Sequence, residues 1–579
     1  METHYTNERN MQMLIYLLKY HGIKKVIASP GATNITFVAS IQQDPWFEIY
    51  SCVDERSAAY MACGMAAESG EAVILSCTGA TASRNYIPGL TEAFYRKLPI
   101  LAVTATQHIG RIGHNVPQVI DRTNPLNDIC LYSATIPTIH DSEDEWAYSV
   151  KINEALLELK HHGGGPVHLN MVTQYSDDFT IKELPAAKVI DRITAKDEFP
   201  DITGKKIGIF VGCHSHWNDY LTRMVDKFCE QYNAVVLCDH TSNYHGKYKI
   251  MASLVTSQVS YDSSVKHMDL LIDLGNVSGA YLSLSTKEVW RVNPDGKIRD
   301  TFKKLRYIFE MEEAEFFESY IDENHSQNNH SYYDEWKKEY DYLLTKIPDN
   351  LPFSNIWIAK NISLKLPENS QLHLGILNSL RSWNFFAVSN TIDGYSNTGG
   401  FGIDGVVSSL LGASLVNPEK LYFCIVGDLA FFYDLNATGS RYTGNNLRIL
   451  LVNNGKGTEF RNYNHKGAKF GDDADEYIAA ARHYGNQSHN LIRHYVQDLG
   501  FKYLSASSKE ELLKNIDEFV NPELSQQSIL LEVFTNNKDE SNALYIMNHL
   551  EADLKGTAKN AIKSMIGQKG IESLKKIIK

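Results

Sequence analysis

At 579 residues the chain exceeds what one hydrophobic core serves and implies three or four domains. Its apolar fraction of 43% and charged fraction of 22% are those of a globular protein, and a net charge of −13 with no basic stripe before the extreme C-terminus argues against nucleic acid as a partner. Eight cysteines without a CxxC pair argue against structural zinc and fit buried free thiols, and with no leader-like N-terminus and no membrane-length apolar run they set the expectation of a soluble cytoplasmic protein.

From residue 10 to 20 apolar residues recur at helical spacing, and 24–29 reads as a strand running into Pro30-Gly31. A second strand, 47–53, ends at Asp54-Glu55-Arg56. The small residues of 57–67 then predict a helix that lets another helix approach closely, internally or at a subunit interface. Read by itself, Glu55 complements the N-terminus of that helix. Strands 72–77 and 100–104 follow, each with a Gly- or Thr-rich exit.

Between about 185 and 345, strands at 206–212, 234–239 and 270–275 predict a further α/β domain. It lacks a complete Gly-x-Gly-x-x-Gly after a strand, so no dinucleotide is expected there. His214, His216, His240 and His245 fall on separate loops without metal-ligand spacing and read as solvated. The acidic segment 310–318 predicts a helix and 322–331 a linker.

In the last third, strand 371–375 leads into Asn378-Ser379-Leu380, and 396–405 is a Gly-rich loop whose backbone can approach a flat ligand. Strand 421–426 breaks at Gly427-Asp428-Leu429. Asp434-Leu435-Asn436-Ala437 is predicted as the crossover helix, and strand 447–452 ends in Asn453-Asn454-Gly455. One carboxylate and one amide oxygen thus stand at the carboxyl ends of neighbouring strands, where open α/β sheets bind ligands. Oxygen donors there suit a hard cation that keeps room for phosphate, which points to Mg²⁺ and a diphosphate. A helix cap followed by an Asn-Asn-Gly turn is the plainer reading of the same residues. The Lys-rich helical stretch from 541 onward is expected to pack on its own dimer rather than on a membrane.

Gly427-Asp428 followed by Asn453-Asn454 resembles the diphosphate-binding signature of thiamine diphosphate (ThDP) enzymes, with Leu429 where many members carry a second Gly. Ser29-Pro30-Gly31, Asp54-Glu55-Arg56, Thr78-Gly79-Ala80-Thr81, Asn85 and Gly164-Gly165-Pro166-Val167-His168-Leu169-Asn170 fall in the family's order. Within the family the likeness is to the 2-succinyl-5-enolpyruvyl-6-hydroxy-3-cyclohexene-1-carboxylate (SEPHCHC) synthases of menaquinone biosynthesis, carried by Asn378-Ser379-Leu380, Gly402-Ile403-Asp404-Gly405 and Tyr433-Asp434-Leu435-Asn436-Ala437.

The resemblance implies an α/β fold of three doubly wound parallel-sheet domains. These are a pyrimidine-binding domain (1–185), a central domain (186–345) and a diphosphate-binding domain (346–540), with a C-terminal helical extension (541–579). It implies thiamine diphosphate and Mg²⁺ as cofactors. Glu55 would hydrogen-bond N1′ of the aminopyrimidine and drive its imino form, so that the cofactor removes its own C2 proton. Ile403 would prop the two rings, and the carbonyl near Phe401 would hold the 4′-amino group. Pro30, Gly31, Thr78, Gly79, Asn85, Ser379, Gly427, Leu429, Ala430, Gly457 and Thr458 would line the cofactor, while Asp428, Asn454 and the Lys456 carbonyl would hold the metal. The two ends of one cofactor would be gripped by different subunits, which implies a homodimer or a dimer of dimers, hence a homotetramer.

The chain departs from the SEPHCHC synthases where those resemble a carboxylate trap built of arginines. Thr33, Gln107, Trp383 and Thr398 stand at the matching positions, and each removes a fork of donors suited to carboxylates. Gln118 remains to orient a substrate carbonyl or carboxylate, and His108 and His114 are candidate acid/base groups. The expected reaction is decarboxylation of a small, pyruvate-like 2-oxo acid, with transfer of the acyl-anion equivalent to an acceptor carbonyl on a sugar or a second 2-oxo acid. An aromatic wall at Trp383 would stack against a sugar or ring. The alternatives are SEPHCHC synthase itself, a simple decarboxylase, or a catalytically silent ThDP-binding regulator.

Overall fold

The computed structural model describes residues 4–214, 217–280, 282–322, 330–482, 488–554 and 557. The chain forms two compact units, one of Met1–Asp197 with Gly296–Ile308, the other of Glu198–Asp295 with Phe309–Lys579.

The first unit is built on six parallel strands: β1 (Lys25–Ala28), β2 (Glu48–Ser51), β3 (Val73–Cys77), β4 (Ile100–Thr106), β5 (Tyr132–Ile136) and β6 (Val167–Val172). Their order is β2-β1-β3-β4-β6-β5, so the winding direction reverses between β1 and β3. β3, β4 and β6 are buried along their whole length, as continuous apolar runs in a sheet covered on both faces must be. Helix Arg9–Tyr20 packs on one face with Met11, Leu14, Ile15 and Leu18. On the other lies the small-residue helix Glu55–Ser69, with Ala58, Ala59, Ala62, Cys63 and Ala66 buried. Its close neighbour is helix Ile87–Arg96 of the same unit: a methyl group at Gly89 would overlap Ala59, and Cys63 Sγ lies 3.3 Å from the Gly89 carbonyl. The close approach expected of these small residues is therefore found inside the fold.

In the second unit, β7 (Ile207–Val211), β8 (Ala234–Cys238), β9 (Lys249–Met251), β10 (His267–Leu274) and β11 (Ser285–Val292) run parallel in the order β9-β8-β7-β10-β11. A further sheet holds β12 (Gln371–Leu374), β13 (Asp393–Tyr395), β14 (Tyr422–Gly427), β15 (Leu447–Asn453), β16 (Lys502–Ala506) and β17 (Ile529–Phe534), all parallel. Its order, β13-β12-β14-β15-β17-β16, repeats that of the first sheet strand for strand. The expected α/β class, with three wound parallel sheets, is what the chain adopts.

Several local readings change. The Asp434–Ala437 stretch is not an α-helix: helix Asp428–Tyr433 ends there and a 3₁₀ turn, Leu435–Gly439, takes over. The Asp434 carboxylate is drawn away to accept from the Ser408 amide and hydroxyl, while Thr438 bonds back to the Leu435 carbonyl. His240 is buried rather than solvated. Its Nε2 lies 2.9 Å from the Trp383 carbonyl and 3.0 Å from that of Phe386, and burial lowers its pKa to about 4, so the ring is neutral. His214 pairs with Glu313 and His245 with Asp393, both at 2.9 Å, and His216 lies outside the described residues. Helix Asn537–Asn548 spans the expected start of the C-terminal extension, most of which lies outside the described residues. Among the described residues no helix is long and apolar enough to cross a membrane.

Candidate active site

In the first unit the candidate residues gather at the carboxyl ends of β1 to β4, around the β1/β3 reversal. Gly31, after β1, sits so close to Thr78, after β3, that any side chain at 31 would overlap the Thr78 Cβ. Thr33 fastens the two loops. Its hydroxyl donates to the Ala105 carbonyl (3.1 Å), accepts from the Gly79 amide (3.0 Å) and meets the Thr78 hydroxyl at 2.7 Å. Thr78 Oγ1 also accepts from the Thr33 amide at 3.3 Å, and because the Thr33 hydroxyl gives its hydrogen to Ala105, it is the Thr78 hydroxyl that donates to Thr33.

Glu55 opens its helix half-buried, but the capping role belongs to its neighbour: Asp54 accepts from the Ser57 amide at 2.8 Å. Glu55 Oε2 instead accepts from Asn85 Nδ2 at 3.4 Å. That leaves its carboxyl with further capacity to bond a ligand. Gln118 and His114 are exposed, and Gln118 adopts a positive φ of 64°. His108 caps a short 3₁₀ turn through Nδ1, accepting from Gly110 at 3.1 Å. The Gln107 Oε1 accepts from Arg111. Arg111 is an exposed cation in the candidate loop that the sequence reading passed over, and a scan of the loop for charge would have found it.

In the second unit the matching reversal lies between β12 and β14. Asp428 follows β14, 2% exposed, with Oδ1 accepting from the Leu429 amide (2.9 Å) and Oδ2 from the Gly455 amide (2.8 Å). Burial raises its pKa to about 7 against these backbone bonds. Among the described residues Asn454 Oδ1 is buried without a hydrogen-bond partner. A buried carboxylate beside an orphaned amide oxygen is a donor set whose chemistry suits a hard cation. The third expected ligand, the Lys456 carbonyl, accepts from the Thr458 amide at 2.8 Å and from the Thr458 hydroxyl at 3.5 Å. The Gly457 amide is engaged by the Ala479 carbonyl at 2.6 Å.

Ser379, Phe401 and Ile403 stand on the neighbouring elements. Phe401 holds a positive φ of 53°, a strained state for a bulky residue, in the Gly-rich loop after β13. Ile403 is partly buried against the cluster that includes Val406, Val407 and Ala430. Arg381 and Glu459 form a two-pronged pair (2.7 and 2.8 Å) that ties helix Asn378–Trp383 to the turn Thr458–Arg461. Asn355 bridges Ser379 Oγ and the Trp383 indole at 3.2 Å each. The Asn355 amide rests on Glu540, a fully buried carboxyl raised to about 7 by desolvation. Nothing in the local sequence marks Asn355 or Glu540.

Three of the expected substrate contacts are buried. Trp383 is 0% exposed and forms part of this support. Thr33 and Thr398 are 2% and 3% exposed; the first is spent on bracing loops, and the second hydrogen-bonds through its amide to Ser396.

The description "Thiamine pyrophosphate enzyme, N-terminal TPP binding domain" matches residues 9–124, the stretch that carries Gly31, Glu55, Thr78 and Gln118. The chain is also 30% identical to the SEPHCHC synthase of Bacteroides fragilis over 566 residues, covering 92% of this chain and 98% of that protein. The chain belongs to the thiamine diphosphate enzymes. The SEPHCHC synthase of Bacteroides thetaiotaomicron is likewise 30% identical, over 92% of this chain and 97% of its own, and that of Flavobacterium psychrophilum 27% identical over 93% and 98%. This ThDP enzyme is therefore similar over most of its length to proteins of that name, while Thr33, Gln107, Trp383 and Thr398 stand where the resemblance leads one to expect arginines.

Proposed function

We propose that this ThDP enzyme binds Mg²⁺ together with the cofactor and decarboxylates a small monocarboxylic 2-oxo acid, passing the acyl group to an acceptor carbonyl. The observation that carries the cofactor part is the buried Asp428 carboxylate beside the orphaned Asn454 Oδ1. These two, with the Lys456 carbonyl, would hold the metal. Bound ThDP supplies an electron sink for the carbon that loses CO₂. Glu55 shares a proton with the aminopyrimidine ring nitrogen, a task its position after β2 and its bond to Asn85 support. Ile403 and the Phe401 carbonyl position the rings, and Ser379, Gly457 and Thr458 line the diphosphate end. Arg111, Gln107 and Gln118 share one loop of the first unit, and in this reading they meet the donor's carboxylate.

The preference for a monocarboxylate is electrostatic. An unpaired carboxylate taken from water into the protein is strongly disfavoured, and Thr33 and Trp383 are neutral with their side chains already hydrogen-bonded, while Thr398 is neutral and buried. With Trp383 buried, an aldehyde, a ketone or a second 2-oxo acid remains the acceptor class, and no ring-stacking supports a sugar. The working segments in this reading are 1–185, 186–345 and 346–540, arranged in a homodimer that completes each site. SEPHCHC synthase is the second reading, favoured by the end-to-end likeness to the Bacteroides proteins.

CO₂ release from a panel of 2-oxo acids, with and without acceptors, tests the choice. Preference for pyruvate or a similar monocarboxylate supports the proposal. Turnover confined to 2-oxoglutarate with isochorismate would replace it with the second reading, and CO₂ release indifferent to acceptors would reduce it to a decarboxylase.

A further inference from the structure

Arg122 lies in the first unit, four residues beyond Gln118, and is only 7% exposed. Its Nη2 donates to the Ala105 carbonyl at 3.3 Å, but Nε and Nη1 are buried without a hydrogen-bond partner among the described residues. With Arg84, Thr104 and His168 it lines a cavity of about 40 Å³ between β4, β6 and helix Ile87–Arg96. A guanidinium carries five N–H donors and cannot shed its charge at neutral pH, so leaving it buried and unpaired is costly.

The surrounding groups do not neutralise it. Arg84 adds a second positive charge and is held by the Asp121 carbonyl at 2.8 Å. Cys77 is pushed up to about 12 by burial and stays a thiol. His168 is pushed down to about 3, first by burial and then by Arg122 and Arg84, and is neutral between Thr104 (2.8 Å) and Ser133 (2.9 Å). The cavity is therefore a positively charged recess that holds no acidic side chain among its lining residues. Its volume is that of a particle a little larger than water.

We infer that this cavity binds one small monovalent anion, of the size of chloride or formate, against the free Nε and Nη1 of Arg122 and beside Arg84. The anion compensates the buried charge and holds the segment around residues 121–125, just after Gln118, onto β4 and β6. The inference needs neither ThDP nor a substrate.

The test uses the full-length protein exchanged into gluconate, an anion too large for the cavity. Melting temperature is then followed against chloride, bromide and formate at constant ionic strength. A saturable rise on the order of 2 °C, specific to the small anions, is expected from binding to the folded state alone. In R122L, where an apolar side chain replaces the buried charge, the rise should vanish. Identical melting in all salts overturns the inference, and so does an undiminished rise in R122L. If R122L does not fold, crystals of the wild type grown in bromide decide: anomalous density at the Arg122 guanidinium supports the site, and its absence from the cavity overturns it.

Discussion

Glu540 shows how a residue far from any motif sustains the site. It is fully buried, accepts from the Asn355 amide and the Thr535 hydroxyl, and its carboxyl is raised to about 7, first by desolvation and in part by the field of Asp428. A raised folded-state pKa means that its contribution to stability is complete below the unfolded value near 4.5 and is lost as pH climbs through 7. Glu540→Gln keeps the accepting oxygen and removes the ionisation. The cofactor-free variant should therefore gain roughly 3 kcal/mol over wild type at pH 8 and little at pH 4.5, read from urea unfolding at both pH values. A gain independent of pH would show that the carboxyl does not titrate in this window. Asp428 was legible in the sequence because it ends a strand beside a turn-forming neighbour, and Glu55 only through the family resemblance, since by itself it reads as a residue of the helix terminus. Glu540 and Asn355 were not, since 185 residues separate them and only the fold makes them partners. The same holds for Trp383, whose burial comes from Asn355 and the loop of His240.

At the scale of elements, long apolar runs declared themselves: β1, β3, β4, β7, β8, β12, β14 and β15 fall where hydrophobic periodicity and Gly boundaries put them. Strands with weaker patterns, such as β13 with three residues and β16 with only one buried position, carry too little apolar signal to be found. The 3₁₀ turn Leu435–Gly439 was misread because Asp434 and Thr438 spend their side chains on backbone partners, which local propensity does not reveal. The meeting of loops after β1 and β3 is also invisible in the sequence, yet it sets the geometry of the pyrimidine half-site. Gly31→Ala should push the Thr78 loop away and break the Thr33 brace, costing about 1–3 kcal/mol. Chemical denaturation measures this directly. Unchanged stability would mean that the two loops are not packed as described.

Across the whole molecule, the first and last sheets share one strand order, and each places its candidate residues at the corresponding reversal. Each unit thus carries part of the proposed cofactor-binding set: Glu55 in the first, Asp428 and Asn454 in the second. If the halves come from different subunits, mixing Glu55→Gln and Asp428→Ala protein after reversible dissociation should restore about a quarter of wild-type function, because half of the random dimers contain one intact site. Halves supplied by one subunit would restore nothing. The central claim, that Glu55 promotes proton loss at C2 of bound ThDP, is tested most directly by hydrogen–deuterium exchange at C2, read by NMR after acid quench in the presence of Mg²⁺. The account predicts that Glu55→Gln retains the cofactor but exchanges at least about 100-fold more slowly than wild type. Equal exchange rates in the two proteins would contradict it and leave Glu55 a residue of the helix terminus alone.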